Sequence, residues 1–230
     1  MAVDHGDRHG SLAPSTRPTA KLAGNVRVAT RKFGLPFSLD LGFGAGAGWS
    51  LKSDKLDRAV LSSTTPRGLV FVALVEAALD PPCSDSAPVF LGDRPEDLIG
   101  WLTTRDWLDH GPPRPYNVGR YLGRAVVIEA TSEATWECPG MLVEDPLPLL
   151  FRMGAPGGDT LGIRRDAPTL VAAIDVGGRT VAFIVTTNTG GMGVPSSDYE
   201  ALWTSTATML QTIEFEDRPL EDPCSGREPC

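Results

Sequence analysis

The chain is poor in histidine and lacks both long apolar runs and the common catalytic sequence motifs. Its 230 residues include three histidines. No stretch reaches the roughly 18 apolar residues that a membrane-spanning helix needs, so we expect no direct membrane insertion. There is no Gly-x-Ser-x-Gly elbow, His-Glu-x-x-His motif or acidic calcium loop, which argues against serine catalysis and metallohydrolysis. We expect neither a metal nor a cofactor.

Positive charge is also scarce. The formal net charge is −8, and the basic residues form no stripe. Because phosphate neutralisation supplies most of the non-specific affinity for nucleic acid, this chain is a poor nucleic-acid binder. The same acidity disfavours contact with anionic membrane surfaces.

The four cysteines, Cys83, Cys138, Cys224 and Cys230, form no Cys-x-x-Cys motif and have no histidine at zinc-finger spacing. Cys83 and Cys138 each lie in turn-like sequence just after an apolar strand. We favour disulfides Cys83–Cys138 and Cys224–Cys230 over the other connectivities, with four free thiols in a reducing cell as the alternative.

The compartment is left open by the sequence. Disulfides point to an extracytoplasmic protein from which an anchor or signal has been removed. The N-terminus lacks the apolar stretch of a secretory signal, which points to a cytoplasmic protein if Met1 is the native start.

The polar, proline-containing ends flank one folded unit. Residues 1–32 are predicted to be a disordered tail or linker, 33–216 a single α+β domain, and 217–230 an irregular C-terminal tail. We find no internal repeat.

Two stretches carry apolar residues on both strand faces. They are Gly68–Ala78 and Thr169–Val185, the second interrupted by the turn-forming pair Gly177–Gly178. Such strands need cover on both sides of the sheet.

Two helices are indicated. The first is predicted to start with Asp93 as N-cap and Glu96 completing a capping box, to continue through Arg105 and to fade by Asp109. The second starts at about Ser197. Hairpins and only two substantial helices predict an α+β fold, a curved antiparallel sheet with two main helices packed on it.

Three residues are candidates for a catalytic role: Glu76, Glu129 and His110. Glu76 and Glu129 interrupt otherwise apolar strands, and buried acids often mark functional sites. His110 lies in a segment predicted to terminate the first helix and is a candidate base. The alternative is that the acids lie near strand ends and that His110 is solvated.

Candidate ligand-lining residues are Trp49, Trp107 and Met192. The two tryptophans fall at element ends, where an aromatic ring either lines a ligand site or closes the core. Met192 lies in a glycine-rich loop that leads to the second helix.

Several short motifs follow one another along the chain. They are a Phe-Ser-Leu strand ending in Gly-Trp (Phe37 to Trp49), Cys83, Asp-Leu-x-x-Trp-Leu (Asp97 to Leu102), Val-Gly-x-x-x-Gly (Val118 to Gly123), Trp-x-Cys-Pro (Trp136 to Pro139), Asp-Val-Gly-Gly-Arg-Thr-Val (Asp175 to Val181) and Leu-x-Thr-Ile-x-Phe (Leu210 to Phe215). With these, residues 35–216 resemble a small extracytoplasmic, lipoprotein-type domain of actinobacteria. Its organisation is similar to Mog1/PsbP-like domains, which implies helices on a curved antiparallel sheet.

Two functions of different classes follow. The first is a non-catalytic, extracytoplasmic-type domain that binds a protein partner or a small apolar molecule. The alternative is a pericyclase-like cyclase of natural-product biosynthesis, which orients a polyketide-like substrate in an apolar cavity and accelerates ring closure by orientation.

Overall fold

The structure is a computed structural model that describes residues 26–41, 46–79, 88–131, 147–153, 160–163, 167–187 and 196–216. The elements within these ranges are, in chain order, β1 (Val26–Ala29), β2 (Phe37–Leu41), β3 (Trp49–Asp54), β4 (Arg58–Thr64), β5 (Arg67–Leu79), β6 (Pro88–Phe90), α1 (Pro95–Leu102), β7 (Leu108–His110), β8 (Arg114–Val118), β9 (Tyr121–Ala130), β10 (Leu147–Met153), β11 (Thr160–Ile163), β12 (Thr169–Asp175), β13 (Thr180–Thr186), α2 (Ser196–Leu210) and β14 (Glu214–Phe215).

The strands of the described ranges form two sheets. The small sheet has the order β1-β2-β14, and the large one runs β11-β10-β5-β13-β12-β9-β7, with β3, β4, β6 and β8 paired alongside. Neighbouring strands are antiparallel in both sheets. The predicted α+β class, an antiparallel sheet with two helices, is confirmed.

The centre of the large sheet is buried on both faces. Six consecutive residues in each of β12 and β13 are buried. Alternate residues belong to two different apolar clusters: Ala172 and Phe183 lie in one, and Ala173 and Ile184 in the other. Because successive strand residues point to opposite faces, each cluster is the core on one side of the sheet. The two-faced strands predicted from sequence are confirmed.

The first face is covered by α2 and the small sheet. Leu202 of α2 is fully buried, and its side chain occupies the space where a Cβ on Gly68 of β5 would lie, with the nearest atom at 2.3 Å. Alternation in β2 turns Phe37, Leu39 and Leu41 into the same core. This side of the large sheet is therefore covered by both α2 and the small sheet.

The second face is covered by α1, whose buried side chains pack on β9 and β12. The predicted N-cap, Asp93, is wrong by one residue. Pro95 takes the first helical position, so Arg94 is the N-cap, and its amide donates to Asp97 at 3.3 Å. The predicted continuation through Arg105 is also wrong.

The helix ends early because Thr103 satisfies its last carbonyls. The Thr103 amide donates to the Ile99 carbonyl, and its hydroxyl lies 3.1 Å from both the Ile99 and the Gly100 carbonyl oxygens. The chain then returns to the sheet as β7. Neither helix of the described ranges is long and apolar enough to cross a membrane.

Two hairpins, β8–β9 and β12–β13, have glycines of positive φ at their turns. Gly177 and Gly178 have φ of 62° and 81° between β12 and β13, as their sequence predicted.

Near the N-terminus, four residues of the predicted tail form β1, which pairs with β2 from Val26 opposite Leu41 to Ala29 opposite Ser38. The α2 helix begins at Ser196, one residue before the predicted start at about Ser197.

Candidate functional site

A cleft of about 410 Å³ opens on the surface where the small sheet meets the β8–β9 turn and the end of α2. Its lining is mainly polar, and four of its side chains are charged. The lining residues are Arg27, Asp40, Gly119, Arg120, Gln211, Thr212, Ile213, Glu214 and Phe215.

Arg27 of β1 crosses the outer face of the small sheet. Its Nε donates to Ser38 Oγ at 3.1 Å, and one terminal nitrogen donates to Asp40 Oδ1 at 3.3 Å. The other terminal nitrogen donates to Glu214 Oε2 on β14. One guanidinium therefore links all three strands. The alternation that buries Phe37 and Leu39 is what turns Ser38 and Asp40 outward to meet it.

The β8–β9 turn forms the opposite wall of the cleft. Gly119 has a φ of 55°, and a Cβ there would lie 2.5 Å from the carbonyl oxygen of Ile213, so glycine is required on both counts. The guanidinium of Arg120 lies 5.3 Å from the ring centroid of Tyr121 and donates to its hydroxyl at 3.3 Å.

Hydrogen bonds hold the two walls at a fixed separation. Gln211 Nε2 donates to the carbonyl oxygen of Asn117 on β8 at 2.9 Å. The hydroxyl of Thr212 accepts the amide of Asp40 at 3.0 Å and donates to the Met209 carbonyl at 2.8 Å. The end of α2 is thereby joined to both β8 and β2.

A row of aromatic rings supports the cleft from below. Phe215 makes an edge contact with Tyr121 at 5.3 Å between ring centroids and a tilted contact with Phe37 at 5.6 Å. Phe33 continues the row with an edge contact to Phe37. Because Phe33, Phe37 and Phe215 are buried, the charged surface above them rests on a packed base.

Chemically, the cleft presents two arginines, two carboxylates and the amide of Gln211 on an open surface, with Arg27 already paired with both carboxylates. Planar guanidinium groups recognise carboxylates in two-point contacts, and carboxylates accept from basic groups or backbone amides. The arrangement is therefore suited to binding a partner that carries polar groups of both signs.

Two predicted site residues lie elsewhere, on the edge of the large sheet. Glu129 is exposed on β9, directly opposite Asp109 of β7. His110 belongs to β7 and not to a helix end, which corrects the sequence interpretation. It is exposed, with Nδ1 3.1 Å from the Gly111 carbonyl oxygen. No group of three potential metal ligands occurs in the part of the chain that the structure describes.

Trp49 and Trp107 are buried in the two cores and take no part in the cleft. The Trp49 indole nitrogen donates to Ser205 Oγ at 3.0 Å, and the Trp107 ring meets Trp101 edge to face at 6.3 Å. Glu76 lies on β5, but its side chain lies outside the described part.

Met192 and all four cysteines (Cys83, Cys138, Cys224 and Cys230) also fall outside the described residues. Their predicted roles stay predictions.

Sequence reasoning missed the charged residues of the cleft. Arg27 and Glu214 are far apart in sequence, and Arg27 falls in a segment taken for a tail. The available signals were the Val-Arg-Val alternation at Arg27 and the Gly119–Arg120 turn.

Comparison with known proteins finds a structural likeness but no sequence match. No protein-family profile matches the chain, and no curated protein matches its sequence. The solution structure of cyanobacterial PsbP (CyanoP) from Synechocystis sp. PCC 6803 is similar with a TM-score of 0.40 and 9% sequence identity, over 90% of this chain and 99% of that one.

Proposed function

We propose that this chain is a non-catalytic domain that binds a protein partner through the charged cleft between the small sheet and the β8–β9 turn. The observation that carries the proposal is the Arg27 arrangement, in which one guanidinium is held between Asp40 and Glu214 on an open surface. We take the domain to be of extracytoplasmic type on the strength of its cysteines.

The cleft's chemistry favours a macromolecular partner over a small apolar ligand. Sites for small molecules are mostly apolar and enclose most of the ligand's surface. This cleft is polar and open, with Glu214 74% exposed and Arg27 42% exposed at their side chains. Such surfaces are typical of the charged rims through which proteins recognise one another.

The cleft is also preorganised. Arg27 is fixed by three acceptors, and the turn that carries Arg120 is tied to α2 through the bond from Gln211 to Asn117. Side chains that are already ordered lose little conformational entropy on binding, which favours recognition by complementary charge.

The test is site-specific crosslinking in cells that express the chain. A photoreactive residue replaces Asn117, which is exposed beside the cleft and accepts the Gln211 hydrogen bond through its backbone carbonyl. The crosslinked protein is identified by mass spectrometry. The identified protein is then purified and its affinity is measured for the unmodified chain, for Arg120→Glu, and for the matched control Arg67→Glu. Arg67 is exposed at the start of β5, at the end of the large sheet that lies away from the β8–β9 turn.

We expect Arg120→Glu to weaken binding about tenfold or more and Arg67→Glu to have little effect, because reversal of an interface charge replaces attraction by repulsion. Equal effects of the two reversals, or no crosslinked protein at position 117, would overturn the proposal.

A further inference from the structure

Within the described part of the chain, the outer edge of β1 has no neighbouring strand. Among the described strands, β1 pairs with β2 alone. Exposed sheet edges are sites where another extended chain adds as a strand, unless the edge is guarded by proline, lysine or a bulge.

Other edges of the described sheets carry such guards. The β7–β8 edge contains Pro112, Pro113 and Pro115, and β6 begins with Pro88. The edge strand β3 has a register shift beside Lys52. The four residues of β1, Val-Arg-Val-Ala, include no proline or lysine, and their pairing with β2 is continuous.

The pairing defines which backbone groups of β1 are available. The Thr30 amide donates to the Phe37 carbonyl at 2.9 Å, so this pair is hydrogen-bonded. In an antiparallel ladder bonded and non-bonded pairs alternate, so Val28 and Val26 face β2. The amides and carbonyls of Arg27 and Ala29 therefore point outward.

The side chains beside this edge indicate what would bind. Val28 packs against the core, whereas Val26, on the same face of the strand, is 59% exposed. Beyond the strand, Arg31 and Lys32 are both exposed, and their backbone amides are held by Asp54 Oδ2 at 2.6 and 3.0 Å. The loop held by Asp54 thus places two exposed cations just beyond the end of the strand.

We propose that the outer edge of β1 accepts an extended acidic segment of a protein partner as an added strand. Main-chain hydrogen bonds form with Arg27 and Ala29, apolar residues of the segment cover Val26, and its carboxylates meet Arg31 and Lys32. The inference rests on the proposed function in taking the partner to be a protein, but it uses the backbone edge of β1 and not the Arg27 side chain that lines the cleft.

The experiment uses two capped synthetic peptides, one alternating valine with glutamate and one alternating valine with lysine. Binding to the full chain is followed by amide chemical shifts and by hydrogen exchange. The glutamate peptide is expected to bind and to slow exchange at the amides of Arg27 and Ala29. The lysine peptide is expected to bind at least about tenfold more weakly, because it brings like charges to Arg31 and Lys32.

Ala29→Pro is the blocking variant. It removes an outward amide and leaves the β1–β2 hydrogen bonds in place, and proline is tolerated at such edge positions. Its effect is expected to be about a tenfold loss of glutamate-peptide affinity. Unchanged protection of the Val28 amide shows that β1 has stayed in place.

Should β1 detach in that variant, Arg31→Ala combined with Lys32→Ala serves instead, since both side chains are exposed. The inference is overturned if the glutamate peptide does not bind, if it binds equally well to the blocked variants, or if the lysine peptide binds as tightly. Because neither variant alters Arg120 or Gln211, partner binding through the cleft is tested separately.

Discussion

Arg27 on β1 donates a hydrogen bond to Glu214 on β14, a residue 187 positions further along the chain. The first and last strands of the described domain are therefore joined by a single side chain that passes over β2. The same side chain contributes to the candidate cleft, so the stability of the small sheet and the geometry of the cleft depend on one residue.

Replacing Arg27 with alanine is expected to lower the free energy of unfolding by about 1 kcal/mol, since exposed ion pairs are weak singly but three acceptors are lost together. Urea unfolding measures the change. The difference from the unmodified chain is expected to shrink at high salt. Arg67→Ala is the control, and an equal loss in both variants would show that the Arg27 contacts contribute nothing.

Three glycine-to-alanine variants are expected to differ in sign. Gly123→Ala places a Cβ 2.0 Å from the Ala173 carbonyl oxygen and is the most destabilising, because backbone must move. Gly68→Ala meets the Leu202 side chain and is expected to cost about 1–3 kcal/mol. Gly100→Ala, exposed in α1 with no atom nearby, is expected to stabilise by about 0.5–1 kcal/mol.

Thermal or urea unfolding of these three variants gives the order directly. If Gly68→Ala were as harmless as Gly100→Ala, the close packing of α2 on β5 would be incorrect.

Tyr116 makes the free energy of unfolding depend on pH in the alkaline range. Burial disfavours the phenolate and raises the pKa of Tyr116 to about 12, against a small opposing effect of Arg114. Because the folded-state pKa lies above the ordinary value of about 10, the folded chain binds its proton more tightly, and stability falls as pH rises from about 10 to 12.

Tyr116→Phe is expected to remove this part of the pH dependence. The buried hydroxyl bonds to no described residue, so at neutral pH the variant should be as stable as the unmodified chain, within about 1 kcal/mol. Unfolding at neutral and alkaline pH provides the comparison. A large loss of stability at neutral pH would reveal a hydrogen bond at this hydroxyl.

The cysteines are expected to form the disulfides Cys83–Cys138 and Cys224–Cys230. Thiol titration of protein from its natural source, denatured without reductant, should find no free thiol, and peptide mapping should find these two pairs. Reducing the longer-range bridge is expected to destabilise the fold by about 4 kcal/mol in the chain-entropy model. Four reactive thiols would refute the extracytoplasmic assignment.

The fold class was predictable because its strongest signals are local. The interiors of β12 and β13 carry apolar residues at five consecutive positions each, which only a sheet covered on both faces can bury. The turn at Gly177–Gly178 followed from the freedom of glycine at positive φ. By contrast, β1 was missed because it is four residues long and mostly exposed, so its Val-Arg-Val alternation is too short to stand out from the polar sequence around it.

The cleft was less accessible to sequence reasoning. Arg27, Asp40, Arg120 and Glu214 come from four separate strands and turns. The pairing of β1, β2 and β14 brings three of them together, and the close approach of Gly119 to Ile213 adds the turn that carries Arg120. None of these residues stands out as unusual in its own segment. Trp49 and Trp107 stood out, but they are buried in the cores.

The two-sided core is tested most directly by adjacent residues of one strand. Ala172 and Ala173 are both fully buried on β12, in different clusters, whereas Leu122 on the neighbouring β9 is 74% exposed. Replacing either alanine with aspartate should destabilise the chain by more than about 3 kcal/mol, while Leu122→Asp should change stability little. If either alanine variant were as stable as Leu122→Asp, one face of the sheet would be open to solvent and the architecture proposed for this domain would be wrong.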